Sequence, residues 1–91
     1  MYYVYIIQST KRRRYYIGST EDVNKRLAEH NKNQVRSTKY KGPWSVVYHE
    51  EADTKYKALH RERYLKSLKG NSVFRKMITK ASPSSPAKLN S

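Results

Sequence analysis

Residues 2–8, Tyr-Tyr-Val-Tyr-Ile-Ile-Gln, are β-branched and aromatic with no breaker among them, and they read as a β-strand. Strand alternation sets Tyr3, Tyr5 and Ile7 on one face and Tyr2, Val4 and Ile6 on the other. Only a small core can form around such a strand, because the chain has 91 residues, of which 36% are hydrophobic, and that length fits one domain. With no cysteine present, a disulfide framework, a thiolate zinc site and a cysteine nucleophile are excluded. No apolar run approaches the ~20 residues of a membrane span. The first residues carry neither a basic leader nor a small-residue cleavage site, so a soluble, cytoplasmic domain is expected.

The other elements follow from punctuation and periodicity. Residues 15–19 read as a second short strand. The polar connector Ser9 to Arg14 lacks an Asn-Gly turn and is expected to form a longer, mobile, phosphate-facing loop. A helix is expected from Thr20, with Ser19 or Thr20 as N-cap, Glu21 and Asp22 in the first turn, and Val23, Leu27 and Ala28 on its apolar side as far as Asn31. Residues 32–43 read as a basic loop closing on Gly42-Pro43, and Trp44 to Glu50 as a third strand. A second helix runs from Asp53 or Thr54 to Lys69 and stops at Gly70. A third covers 72–80, where Val73, Phe74, Met77 and Ile78 make a stripe. The order is β-β-α-β-α-α, a small α/β (α+β) domain over residues 1–81, followed at 82–91 by a segment expected to be disordered.

Twenty Lys and Arg against seven Asp and Glu give a formal charge of +13, which calls for a polyanionic partner. The basic residues concentrate in Lys11, Arg12, Arg13 and Arg14, in Lys32, Arg36, Lys39 and Lys41, and along 55–80, whereas 44–54 carry Glu50, Glu51 and Asp53 against no base. An anionic lipid surface is the weakest partner, since no segment reads as a basic amphipathic helix with large apolar anchors. Charge alone suits an inert ribosomal or nucleoid-type binder as well as an enzyme.

Chemistry shows where polar groups occupy faces that should be apolar. On a wheel of about 100° per residue, Ala58, Leu59 and Leu65 fall within roughly 60° of Glu62, so its carboxylate points inward. Such a group must be protonated, ion-paired or metal-bound. Lys66 or Lys69 offers the pair; a hard cation completed by a phosphate is the functional alternative. Arg26 and His30 stand four apart on one edge of the Val23–Leu27 stripe. Separately they are a solvated charge and a satisfied polar group; together they suit a phosphate clamp and proton-transfer pair. Tyr15 and Tyr16 face opposite ways, so one tyrosine from each strand can meet across the sheet, which by itself only stabilises the sheet. Gly18 suits a close approach of backbone to another group. His60 falls on the solvent side of its helix, and His49 has no assignable partner.

Tyr3-Val4-Tyr5, then Tyr16-Ile17-Gly18, then Arg26 with His30, then Glu62 resemble the GIY-YIG nuclease superfamily. They look most like its small stand-alone members, related to the nuclease domain of the excision-repair incision subunit. The resemblance covers roughly residues 2–80. Tyr16-Ile17-Gly18-Ser19-Thr20, followed by Arg26-Leu27 and His30-Asn31, resembles the second motif and its helix. Thr38, Pro43-Trp44 and Val47-Tyr48 resemble the middle segment, and Glu62-Arg63-Tyr64-Leu65-Lys66 the Glu-x-x-aliphatic-Lys helix. Tyr3 stands where the first motif has Gly, and Ser19 where the repair nuclease domain often has Lys.

The resemblance implies a three-stranded antiparallel sheet flanked by helices, and hydrolysis of DNA phosphodiesters by a one-metal in-line mechanism with Mg²⁺ or Mn²⁺. It gives Glu62 the metal, Arg26 the charge on the scissile phosphate, and Tyr5, Tyr16 and His30 the attacking water. Gly18 and Trp44 are then structural. Lys11, Arg12, Arg13, Arg14, Lys32, Arg36, Thr38, Lys39 and Lys41 are expected to touch DNA, duplex or branched, in a DNA-repair setting. Specificity would come from substrate shape, from an unidentified protein partner, or from little at all. Two alternatives stand beside this reading: a nucleic-acid-binding module that keeps the fold without turnover, and a ribosome-associated RNA binder.

Overall fold

The apolar run at the start of the chain forms β1 (Tyr2–Ser9), the middle strand of a three-stranded antiparallel sheet in a computed structural model that describes residues 1–81. The expected tail at 82–91 lies outside the described residues. Strand β2 (Tyr15–Thr20) pairs on one side of β1 and β3 (Trp44–Ala52) on the other, giving the order β2-β1-β3. Helix α1 (Val23–Asn31) follows β2; helices α2 (Lys55–Leu68) and α3 (Ser72–Ala81) follow β3. The α+β class and the order β-β-α-β-α-α are as expected. Among the described residues no helix is long and apolar enough to cross a membrane.

A central strand covered on both faces needs apolar residues at every position, and Val4, Tyr5, Ile6 and Ile7 are all buried. Val4 and Ile6 join Ile17, Ala58, Leu65 and Phe74 in a core under α2 and α3. Tyr5 and Ile7 face the other way and join Trp44, with Tyr16, Val23, Leu27 and Val46 packed alongside beneath α1. The period-two alternation of β1 thus divides one strand between two small cores. A register shift opposite Ile6 and Ile7 puts Tyr48 and Val46 across from them and leaves Val47 as the extra residue of a β-bulge.

Helix α1 begins three residues later than expected. The ladder with β1 continues to Thr20, paired with Tyr3, so the residues that follow Ser19 and Thr20 are not yet helical and neither of the two is the cap. Asp22 is the N-cap instead, its carboxylate accepting the Lys25 N–H at 3.0 Å. Strand β3 likewise runs two residues beyond Glu50, because Ala52 still pairs with Tyr2. At the far end of α1, Asn31 grips the first residue of β3: its Oδ1 accepts the Trp44 N–H at 2.6 Å and its Nδ2 donates to the Trp44 carbonyl at 3.1 Å.

Both expected loops are more ordered than their composition implies. Ser9 is buried; its Oγ accepts the N–H groups of Lys11 and Arg12, and its own N–H donates to the Arg14 carbonyl at 3.0 Å, folding the basic connector into a compact turn. Within 32–43, a 3-10 turn at Arg36–Thr38 buries Val35 and Thr38. The apolar stripe of α2 is narrower than the wheel suggests. Ala58 and Leu65 are buried, but Leu59 is 44% exposed, which puts Glu62 at the rim of the core and not in its middle. Thr54 caps this helix, and Gly70 beyond it takes the left-handed conformation at φ 90°.

Candidate active site

Tyr5 leaves the middle strand directly opposite Gly18 on β2, and its ring lies over that glycine. A Cβ on residue 18 would stand 2.7 Å from the Tyr5 hydroxyl, 2.9 Å from its Cζ and 3.0 Å from Cε2 of Tyr16. No side chain fits there, which answers why this strand carries a glycine. The rings of Tyr5 and Tyr16 meet at 6.3 Å, so the tyrosines that come together across the sheet are the two named in the motifs. His30 completes the cluster, with ring centroids 5.8 Å from Tyr5 and 4.9 Å from Tyr16.

His30 has no exposed surface, and both ring nitrogens are used. Nε2 lies 2.8 Å from the Tyr5 hydroxyl and Nδ1 lies 2.7 Å from Thr38 Oγ1. The Thr38 hydroxyl donates onward to the Val35 carbonyl at 3.4 Å, so it accepts from Nδ1–H. That leaves Nε2 as the acceptor for the Tyr5 O–H. Burial, reinforced by the Arg26 charge, pulls the His30 pKa down to about 4 and keeps the ring neutral near pH 7. Burial also pushes the Tyr5 phenol up to about 12 against the opposing pull of the nearby Arg26 guanidinium; Tyr16 and Glu62 add to the rise.

Arg26 stands one helical turn before His30 and is 37% exposed. Its guanidinium bonds Glu29 at 2.7 Å, and this contact, with a smaller contribution from Tyr5, raises its pKa further. Glu62 reaches the same region from the opposite face of the sheet. Its Oε1 accepts the Ser19 hydroxyl at 2.8 Å and its Oε2 pairs with Lys66 at 2.7 Å. The Lys66 partnership offered by the i, i+4 spacing is therefore present. Gly18 and Ser19 are neighbours on an edge strand, and they admit Tyr5 on one face and hold Glu62 on the other. The Ser19 contact was missed in the sequence, where residue 19 stands out as a candidate helix cap and as a departure from the motif. Glu29 was also missed, although its i, i+3 spacing from Arg26 signals it.

The donor chemistry around Glu62 suits a hard divalent cation. Its side chain is 17% exposed, the adjoining donor is a neutral hydroxyl, and the paired Lys66 side chain is 52% exposed to water. Among the described residues no group of three or more His, Cys, Asp or Glu could hold an ion alone. A site with one carboxylate is the kind that Mg²⁺ fills with water and substrate phosphate oxygens.

Of the residues expected to touch DNA, Lys11, Arg12, Arg13, Arg14, Lys32, Arg36 and Lys39 are exposed, and Lys41 is partly so. Thr38 is the correction. It is 1% exposed and its hydroxyl is committed to His30 and the Val35 carbonyl, so it acts on the site by holding the imidazole and offers no free hydroxyl to a phosphate. Trp44 is 5% exposed and donates its indole N–H to the Thr38 carbonyl at 3.4 Å, bracing that same turn. His60 is exposed and stacks on Tyr56, while His49 meets Tyr3 edge-on at 6.4 Å, outside the cluster.

Two outcomes follow from this packing. Gly18→Ala is expected to lose roughly 1–3 kcal/mol of stability through overpacking. Tyr5→Phe, which deletes the nearest clashing atom, should make the double variant less destabilised than the sum of the two, as read by urea unfolding in a double-mutant cycle. His30 titrates near 6.5 when unfolded and near 4 when folded, so between those values the unfolded chain binds more protons. Its contribution is complete above pH 6.5 and is lost as pH falls toward 4, by roughly 3 kcal/mol in total. In unfolding measured across this window, His30→Gln should lack that component of the pH dependence; equal slopes in both proteins would contradict it.

Comparison with known proteins places the chain in a family. The GIY-YIG catalytic domain profile matches residues 1–77. A UPF0213 protein of Staphylococcus saprophyticus is 39% identical over 67 residues, covering 72% of this chain and 80% of its own length. A UPF0213 protein of Halobacterium salinarum is 36% identical over 69 residues, covering 75% and 88%, and one from Staphylococcus aureus is 37% identical over 67 residues, covering 72% and 80%. No solved structure matches. With the domain profile spanning most of the described residues and relatives aligned over most of their own length, this chain belongs to the GIY-YIG catalytic domain family, a nuclease-type domain whose substrates are nucleic acids.

Proposed function

We propose that the chain is a divalent-metal-dependent DNA endonuclease that cuts phosphodiester bonds in line, with Tyr5 and His30 acting together on the attacking water. The observation that carries this reading is the 2.8 Å contact between the Tyr5 hydroxyl and Nε2 of a neutral, fully buried His30. At a pKa of about 12, Tyr5 is not a phenolate at neutral pH. Its proton is, however, already aimed at Nε2, and this leaves a lone pair of the phenol oxygen for water. As the water oxygen attacks phosphorus, its proton passes to Tyr5 Oη while the phenol proton passes to His30 Nε2, and the leaving oxygen departs on the opposite side. Thr38 holds Nδ1–H, so Nε2 stays the accepting nitrogen. A His30 pKa near 4 keeps the base unprotonated, at the expense of driving force for the transfer.

Arg26 stabilises the charge that builds on the non-bridging phosphate oxygens, and its guanidinium also favours charge developing on Tyr5. Tyr16 packs against both Tyr5 and His30 and fixes the angle between them. Glu62, oriented by Ser19, would hold Mg²⁺ or Mn²⁺ through its carboxylate. Such an ion supplies Lewis acidity to the phosphate and the leaving oxygen. A binding module without turnover is the rival reading, and the Glu62 carboxylate at the rim of the core disfavours it, since a polyanion binder gains nothing from a negative group beside its site.

A panel of duplex, nicked, flapped and branched DNA incubated with Mg²⁺ or Mn²⁺, and with chelator, tests the proposal. Cleavage is expected with metal and not with chelator. Glu62→Ala should lose it. Arg26→Ala is expected to lower turnover by ~10²-fold or more, with only modest weakening of binding, as for removal of one transition-state contact. Salt-sensitive binding without cleavage under any metal would leave the module reading standing.

A further inference from the structure

The clefts of the described surface differ sharply in charge. Two of them, about 430 and 440 Å³, carry acids: Glu50, Glu51 and Asp53 beside Lys57 and Arg61 in one case, and Glu21 and Asp22 in the other. A third, about 270 Å³, is lined by Arg13, Arg14, Lys41 and Lys69 and by no acid, with Tyr16 and Thr38 among its walls. Its four cations come from three separated places in the chain. Arg13 and Arg14 sit in the turn between β1 and β2, Lys41 precedes β3, and Lys69 is the C-cap of α2. Among the described residues all four salt bridges use other cations, namely Arg26, Lys57, Arg61 and Lys66. Nothing in those ion pairs neutralises the cleft.

Tyr16 belongs both to this cleft and to the cluster with Tyr5 and His30. Thr38 forms part of its wall and holds His30. The cleft therefore opens from the candidate active site and does not lie on an unrelated surface. Ordering also favours a built groove: buried Ser9 pins the turn that carries Arg13 and Arg14, and the Lys41 ammonium donates to the Ser37 carbonyl at 3.2 Å. A volume of about 270 Å³ leaves room for one sugar-phosphate unit of a nucleic-acid backbone.

We infer that this cleft is the track for the cut strand, holding the backbone phosphate next to the scissile one between the β1–β2 turn, the loop before β3 and Lys69. The inference rests on the nuclease reading for which phosphate is cut, but the binding it describes needs no turnover. Phosphates held there would displace condensed counterions, each contact on a single strand steepening the salt dependence of binding by about 0.7 unit of log K per log salt.

The test is binding of a fluorescent single-stranded DNA oligomer in chelator across a salt series, by wild type and by Arg13→Ala, Lys69→Ala and Lys57→Ala. All three substitutions remove one exposed positive charge, and Lys57 borders an acidic cleft. Arg13→Ala and Lys69→Ala should each flatten the slope by about 0.7 and weaken binding several-fold at low salt, with Lys57→Ala matching wild type. Equal effects from all three, or none from Arg13 and Lys69, would overturn the inference. Cleavage by the same variants in metal separates the two readings. If the slopes divide as expected and no metal supports cutting, the track stands and the nuclease reading falls. If wild type cuts and the slopes do not divide, the nuclease reading stands and the track falls.

Discussion

The missing side chain at Gly18 governs where the remaining groups of the site can stand. Tyr5 projects from the best-buried strand of the molecule, and a β-carbon at residue 18 would come within 2.7 Å of its hydroxyl. With hydrogen there, the phenol crosses the neighbouring strand and reaches His30 on α1. The imidazole is in turn held by Thr38, whose turn is braced by Trp44, and Trp44 is gripped at its backbone by Asn31 at the end of α1. The path from sheet to helix to turn and back is closed by hydrogen bonds, so no group in it moves alone. Buried polar groups are costly unless satisfied, and in a core this small that cost is tolerated only because each nitrogen of His30 has its partner.

Two adjacent residues on one edge strand divide the chemistry between the faces of the sheet. Gly18 admits the tyrosine from the α1 side, and Ser19 holds the Glu62 carboxylate on the α2 side. The negative group is thus kept off the hydrogen-bonded tyrosine and histidine, yet near enough to bear on the Tyr5 hydroxyl. Proximity on the same face would pair Glu62 with Arg26 and cancel both. Separation by one strand leaves Arg26 matched to Glu29 and Glu62 to Lys66, each in an exchangeable, partly exposed contact that an incoming phosphate or cation can replace.

What the sequence makes legible is what local periodicity governs. The alternation in residues 2–8 assigns Tyr5 and Ile7 to one core and Val4 and Ile6 to the other, and the two motif tyrosines meet as strand geometry requires. Arg26 and His30 lie one turn apart on α1 and both act on Tyr5. Less legible is whatever depends on pairing between distant segments. The β1 ladder overrides Ser19 and Thr20 as caps, and nothing local reveals that. Thr38 reads as a polar loop residue because its burial comes from a turn folded under Trp44. Leu59 reads as core because a wheel cannot say where the packed stripe of α2 ends.

Among the described residues both outer strands of the sheet leave one edge unpaired, since β2 and β3 each bond only to β1. Open edges invite strand addition by a second molecule. At a formal charge of +13, two copies in dilute salt repel each other before such edges can meet. A long polyanion removes that repulsion by neutralising both copies and bringing them side by side. The protection of these edges is therefore conditional: net charge opposes their meeting in the free protein, and crowding along one anionic chain is the circumstance in which they are least protected.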